Sequence, residues 1–265
     1  MQNNKNDLTK ISVPSDKNPL MKEALARINS NEEIITLWKV INVNAIDRLN
    51  MSDHGIVHFQ IVANIALRIS RILAKHKVSL SIVHDHNLTQ NHGELVILLA
   101  SLMHDLGMSI SRSGHEEYSL ILANSLLHQI LDFLPVSERT IIISETLHAI
   151  ISHREGGHPY TKEAGIVRVA DALDMSEGRA RLSFEKGSID IYNLSAAGID
   201  SVEISEGEER PVEIIIKMNN SAGLFQVDEL LKSKLKGSGI EDFVIVKAVV
   251  EGETEKKLLK EFVVK

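Results

Sequence analysis

The chain has 265 residues, 43% hydrophobic and 25% charged, with a formal net charge of −7 and no cysteine. That length and balance suit a globular protein of one large or two modest domains with a sizeable core. Disulfide scaffolds, thiolate metal sites and cysteine nucleophiles are excluded, and the acidic balance gives no general pull toward nucleic-acid polymers or anionic membranes.

Residues 1–18 are polar and read as a flexible leader, without the apolar run of a signal peptide. Pro19 opens a helix to about residue 29. Asn31 caps a second helix over 31–50, with Glu32 and Glu33 in its first turn. Its apolar side is Leu37, Val40, Ile41, Val43 and Ile46. Residues 54–75 form a third helix, with Val57, Ile61, Ile65 and Ile69 along one stripe. Residues 76–93 are polar, carry His76, His84, His86 and His92, and read mostly as a loop or insertion, a potential lid. Residues 94–106 are apolar almost all round, the mark of a buried central helix, and Gly107 ends it. Another helix covers 115–134 and stops at Pro135. Ser137 caps the next, which Gly156 and Gly157 terminate, and Thr161 caps the last.

Beyond Arg181 the pattern changes. Strand-like alternation recurs at 188–194, 201–205, 211–218, 243–250 and 258–265, with one helix at 226–236 before Gly237. The fold class is therefore α+β and multi-domain. A leader (1–18) precedes an all-α helical bundle (19–182) and a small α+β domain (183–265), expected to carry an open antiparallel sheet with one face covered. No stretch reaches the roughly 18–20 uninterrupted apolar residues of a membrane span, so the expected location is cytoplasmic.

The twelve histidines all lie between His54 and His158. His104 and Asp105 are adjacent at the end of the buried helix. Burying an imidazole beside a carboxylate is costly unless something pairs with them, and a metal ion would do so. A helix-terminal histidine next to a capping aspartate is the plain alternative. Asp171 lies inside the otherwise apolar VRVADALDM, an unusual place for a carboxylate. His58 precedes Val62 by four residues and Ile65 by seven, which puts it on the inward stripe. Three helices thus each turn a metal-type ligand inward, as helical bundles do when they build metal centres.

In order, His58, His104-Asp105 and Asp171 resemble the H…HD…D signature of the HD superfamily of metal-dependent phosphohydrolases. The contexts DHGIVHFQIVANIAL, LLASLMHDLGM and IVRVADALDM match that family's three core motifs, over about residues 50–182. The resemblance implies an all-α HD-domain bundle. His115 and His153 fall where two-metal members carry extra histidine ligands. It therefore implies a binuclear site: His58, His104, Asp105 and Asp171 on one metal, with Asp105 bridging to a second held by His115 and His153. His148 competes with His153. Five residues of helix set the two roughly 140° apart, and His153 lies on the less polar side, whereas His148 could line a substrate pocket. His54, one turn before His58, could bind metal, hydrogen-bond within the site or cap the helix with Asp53. In the HD-GYP branch a ligand occurs at this spacing. However, the lysine that follows the HD pair there is replaced by Met108, and only GGHPY stands in the region of the GYP motif. Cyclic-di-GMP hydrolysis is not implied.

Cationic candidates for phosphate are Arg168, one turn before Asp171, and Arg112 and Arg154 in loops beside His115 and His153. Surface salt bridges are their plain alternative. The resemblance implies hydrolysis of a phosphate ester or anhydride of a nucleotide or other small phosphorylated molecule, by a phosphomonoesterase or phosphodiesterase. Hydroxide held between two metals would attack phosphorus in line, with Asp105 and Arg168 as the catalytic side chains. Histidine and carboxylate ligands admit Mn, Fe, Co, Ni, Zn or Mg as the divalent ions. Two other readings stand beside it: an HD-fold di-iron oxygenase, and a non-catalytic ligand-sensing module. The C-terminal domain has no histidine, glycine-rich phosphate loop or basic stripe. It is expected outside the catalytic centre, in homo-oligomer formation, substrate access or regulation.

Overall fold

The computed structural model describes residues 10–175 and 191–251, with the backbone alone at 191–193. Among the described residues, eight α-helices precede residue 175: α1 (Pro19–Ser30), α2 (Glu32–Asn42), α3 (Ile56–Lys75), α4 (Ser81–Asp85), α5 (Gln90–Met103), α6 (His115–Ile130), α7 (Val136–Ser152) and α8 (Lys162–Ala172). α2 runs on into a π-helical turn, Val43–Arg48. The starts follow local chemistry. The Asn18 side chain accepts from Leu20 N and Met21 N with Pro19 at the first helical position, Asn31 caps α2 and Thr161 caps α8. Ser137 is not a cap. Pro135 takes that place, because its carbonyl already accepts from Arg139 N.

α5 is the centre of the bundle, buried from Gly93 to Met103 and packed against α3, α7 and α8. α3, packed between α5 and α8, buries His58, Phe59, Val62, Ala66 and Ile69. Val57 and Ile61 lie on the outer side instead, 40% and 37% exposed. α3 is apolar around most of its circumference, so periodicity alone selects the wrong stripe. In α2 the buried residues are Ile34, Trp38 and Ile41, continued by Ala45, while Val40 and Val43 face outward. By length and composition α3 could also cross a membrane, but 56% of its apolar window is buried within the bundle.

Two segments expected to be loose are packed. Ile11 and Val13 are buried, and Ile11 N donates to Asn29 Oδ1 at 2.7 Å. Within 76–93, Leu80 and Ile82 are buried. The Glu163 carboxylate accepts from Ser81 N (3.0 Å) and Ile82 N (2.9 Å), which pins the start of α4 to the start of α8. This part of the segment is tied to the bundle wall and is not a lid.

The C-terminal part holds α9 (Ile191–Ala196), β1 (Ile199–Glu206), β2 (Val212–Met218) and β3 (Val244–Val250). A helix stands where a strand was expected from residue 191 on. The expected strand at 258–265 lies outside the described residues, as do residues 188–190. β1 and β2 are antiparallel, but β2 and β3 are parallel, so the sheet is mixed and not purely antiparallel. The reason is the connection: a π-helical turn, Gln226–Leu231, leads into α10 (Lys232–Leu235), and such a crossover returns the chain in the same direction. β2 buries Val212, Ile214, Ile216 and Met218 in strict alternation, giving the sheet one covered face.

The crossover is seated on α8. A Cβ at Gly165 would lie 1.8 Å from Ser238 O, so only glycine permits this approach. Arg168 Nη2 donates to Ser233 O at 3.3 Å.

Candidate metal centre

Three helix C-termini meet at the site: α5 ends beside His104, α7 beside His153, and α8 just after Asp171. A helix C-terminus has unpaired carbonyls and partial negative charge, which favours cations. The same carbonyls orient the rings. His104 Nδ1 donates to Ser101 O (3.0 Å) and His153 Nδ1 to Ile150 O (2.5 Å), each three residues back. His115, opening α6, donates likewise to Arg112 O (2.9 Å). His58 Nδ1 donates to Asp174 Oδ2 at 2.6 Å, and His54 Nδ1 to Ser52 O at 2.8 Å. In all five, an acceptor fixes the proton on Nδ1 and leaves the Nε2 lone pair for a metal.

Those nitrogens converge. His58 Nε2 lies 3.1 Å from His104 Nε2. With both Nδ1 atoms engaged as donors, two lone pairs face each other in a buried site, and only a shared cation or proton resolves that. Asp171 Oδ1 stands 3.5 Å from His58 Nε2 and 3.7 Å from His104 Nε2. Asp105 divides its oxygens. Oδ2 faces His104 (3.7 Å) and His58 (3.8 Å), while Oδ1 faces His115 (3.1 Å) and His153 (3.6 Å). His58-His104-Asp171, His104-Asp105-His153 and His115-Glu116-His153 each bring three donor atoms within 4.8 Å of one another. The donor set fits divalent metals bound through nitrogen and oxygen.

Electrostatics agree with the geometry. Burial works against charge on Asp105 and Asp171, yet the imidazoles around them hold both carboxyls well below the usual range. Burial also opposes charge on His104 and His115, and the facing aspartates outweigh it and raise both. For His153 burial prevails, helped by His104, and its pKa is lowered.

Gly107 sets the position of His115. Its N–H donates to Ser119 Oγ (2.8 Å), which donates to His115 O (2.8 Å). A Cβ there would fall 2.0 Å from His115 O. The glycine after the HD pair therefore lets the start of α6 press against the centre.

The centre opens into a cavity of about 670 Å³. One wall carries His54, Asp105, His115, His153 and Asp171, and the other carries Gln226, Leu230, Ser233 and Lys234. The C-terminal domain, expected outside the centre, borders it because α10 docks on α8. Lys234 Nζ donates to His153 O and stands 3.8 Å from Asp171 Oδ2. Burial lowers its pKa, with Asp171 opposing.

Six predicted residues are thus brought together: His58, His104, Asp105, His115, His153 and Asp171. His54 lies beside them, its ring centroid 5.7 Å from that of His58. His148 does not line the cavity. It stacks on Tyr160 at 4.7 Å, and its Nε2 accepts from Tyr160 N at 2.9 Å. Arg168 does not line it either, because its guanidinium is taken by Gly157 O and Ser233 O. Arg112 and Arg154 sit along the cavity wall, the latter paired with Glu117 at 2.9 Å. The sequence reading missed Asp174, Glu116 and Lys234. Asp174 follows Asp171 by one turn and Glu116 adjoins His115, so both had a local signal, whereas Lys234 had none.

The HD domain family model matches residues 55–176. A protein of Methanocaldococcus jannaschii, "Uncharacterized protein MJ1020", is 40% identical over 224 residues, spanning 84% of this chain and 86% of its own length. No solved structure matches. HD domains bind divalent metals, and the buried histidine and aspartate groups are of the kind that hold them. By sequence and by the residues at its centre, the chain belongs to the HD-domain family, a superfamily of metal-dependent hydrolase type.

Proposed function

We propose that the protein is a metal-dependent phosphohydrolase that cleaves a phosphate ester or anhydride of a small phosphorylated molecule, nucleotides included, at a binuclear centre. The division of Asp105 carries this reading: its two oxygens face two separate pairs of imidazoles. His58, His104, Asp171 and Asp105 Oδ2 would hold one ion, and His115, His153 and Asp105 Oδ1 the other. When bound, two divalent ions supply Lewis acidity toward phosphoryl oxygens and a water acidic enough to ionise near neutral pH.

The protein's own groups orient this chemistry. The carbonyls of Ser101, Arg112 and Ile150 hold three rings in the ligand tautomer, and the Asp174 carboxylate makes His58 a stronger donor. Phe59 lies edge-on to His104, centroids 5.5 Å apart, and both side chains are fully buried. The cavity volume suits a small molecule, and a net charge of −7 disfavours a nucleic-acid polymer.

The test is elemental analysis of the protein as purified, beside a phosphatase and phosphodiesterase panel with Mn, Fe, Co, Ni, Zn and Mg. Two metal equivalents and phosphate release support the reading. Iron with oxygen consumption and no phosphate release replaces it with the oxygenase. A protein that takes up no metal replaces it with a sensory module.

A further inference from the structure

We infer that Lys234, delivered by the C-terminal domain, is a substrate-binding residue of the metal centre and holds a non-bridging phosphoryl oxygen of the substrate. The inference rests on the phosphohydrolase reading above. Lys234 lies on α10, and the seat of this segment is fixed by the close approach at Gly165 and by the Arg168 bond to Ser233 O. Its side chain is 18% exposed, whereas that of Lys232 on the same short helix is 74% exposed and pairs with Asp228. A long cationic side chain normally extends its head into water. Lys234 instead turns inward to the cavity that holds Asp105, His153 and Asp171.

The ammonium has three protons to donate. One serves His153 O. The Asp171 contact, at 3.8 Å, is an ion pair beyond hydrogen-bond length. Donor capacity therefore remains at the cavity wall, beside the carboxylates that would hold the metals. The other cations nearby are placed differently. Arg168 is engaged by two carbonyls, Arg154 pairs with Glu117, Arg112 lies against the His115 ring with Nη1 3.1 Å from Nδ1, and the position three residues after Asp105 is the buried, neutral Met108. Among the described residues, the helical bundle sets no lysine against Asp171, and the C-terminal domain supplies one. An anion is the ligand that such a cation, set over a metal centre, would take. A phosphoryl oxygen bound to the metals would lie within its reach.

The probe is inorganic phosphate, titrated calorimetrically into the full-length, Mn-loaded protein, with metal content measured on the same samples. Wild type is expected to bind phosphate only when metal is present. K234M is expected to bind it at least tenfold more weakly with metal content unchanged, and K234R to recover most of the affinity. Should K234M not fold, K234Q replaces it, keeping a donor for His153 O without the charge. With any substrate the panel identifies, the neutral variant should raise KM more than it lowers kcat. Wild-type phosphate affinity in the neutral variant overturns the role of Lys234 and leaves the phosphohydrolase reading standing. Loss of metal from that variant also overturns it, because Lys234 would then position ligands. A metal-loaded wild type that binds no phosphate removes both readings.

Discussion

Asp174 is the residue at which the tautomer argument can be put to a quantitative test. Its Oδ2 accepts from His58 Nδ1 at 2.6 Å, and the two side chains are 3% and 0% exposed. Asp174→Asn keeps an acceptor oxygen but removes the charge. A hydrogen bond to a charged group contributes about 1.5–3 kcal/mol and a neutral one about 0.5–1.5 kcal/mol, so the change weakens it by about 1–1.5 kcal/mol. That corresponds to roughly a tenfold loss in metal affinity, at the lower end of the roughly 10–100-fold range for partners of ligating histidines. Asp174→Ala leaves the buried N–H unpaired, a further cost of about 1–3 kcal/mol, and should approach the upper end. Competition of the loaded protein against a chelator of known affinity measures both. If D174N retains wild-type affinity, the carboxylate does not tune His58 and the argument fails. If D174N loses a full metal equivalent as Asp171→Asn would, Asp174 is itself a ligand and the assignment of the outer partner is wrong.

Four further outcomes are expected. Asp105→Ala should abolish turnover and metal loading while keeping the helical circular-dichroism spectrum, and full turnover in this variant would remove Asp105 from the mechanism. Gly107→Ala places a Cβ 2.0 Å from His115 O. The start of α6 must then move by more than the ±0.2 Å or so that metal–ligand distances tolerate, so elemental analysis should find the His115-His153 ion lost and the His58-His104-Asp171 ion kept. The facing carboxylates raise the pKa of His104 and His115 against the effect of burial, and metal binding must displace the protons these rings hold. The calorimetric enthalpy of loading should therefore vary with the ionisation enthalpy of the buffer near neutral pH, and cease to vary in alkaline solution where those rings are already neutral. Chelation should lower the melting temperature: metal at a thousandfold excess over its Kd stabilises by about 4 kcal/mol, or about 8–16 °C for a chain of this size.

The order of the helices and most of the centre were legible in the sequence because they follow local rules. A cap, a proline or a glycine marks a start or an end of most of the helices, while the short α4, bounded by Leu80 and His86, has none of these signals and lies in a segment that reads as loop. A ligand on an inward stripe stays inward when the helix packs, so His58, His104, Asp105 and Asp171 meet. The orientation of two rings has an equally local cause, since His104 and His153 stand at helix ends with the carbonyl three residues back within reach, whereas His58 is held by Asp174, far away in sequence. Where two apolar faces compete, as in α3, periodicity does not choose, and Val57 and Ile61 were misjudged. Arg168 shows the other limit. One turn of spacing puts it near Asp171, but Gly157 O in the preceding loop and Ser233 O, 65 residues on, capture its guanidinium. The parallel pairing of β2 and β3, and the arrival of Lys234 at the centre, are likewise tertiary facts. Both follow from a crossover docking on α8 at Gly165, and nothing near residue 234 in the sequence announces them.

The charges at the centre explain why this arrangement asks for metal. Asp105 and Asp171 are held ionised where burial alone would protonate them. The ends of α5, α7 and α8 add their partial negative charge, and the rings are fixed in a form that presents lone pairs. Without metal, the one relief is to protonate imidazoles, and His104 and His115 are raised accordingly. His153, facing the same Asp105 oxygen as His115, is lowered instead, because burial opposes its charge and the neighbouring His104 adds to that. Protons thus neutralise this site only in part, since burial opposes charge on the rings that would carry them and His104 opposes it further on His153. Ions of charge +2 would replace several protons at once, and His58 and His104 are placed to offer them their lone pairs. The cluster that is frustrated as a set of acids and bases would be mutually satisfied as a set of ligands.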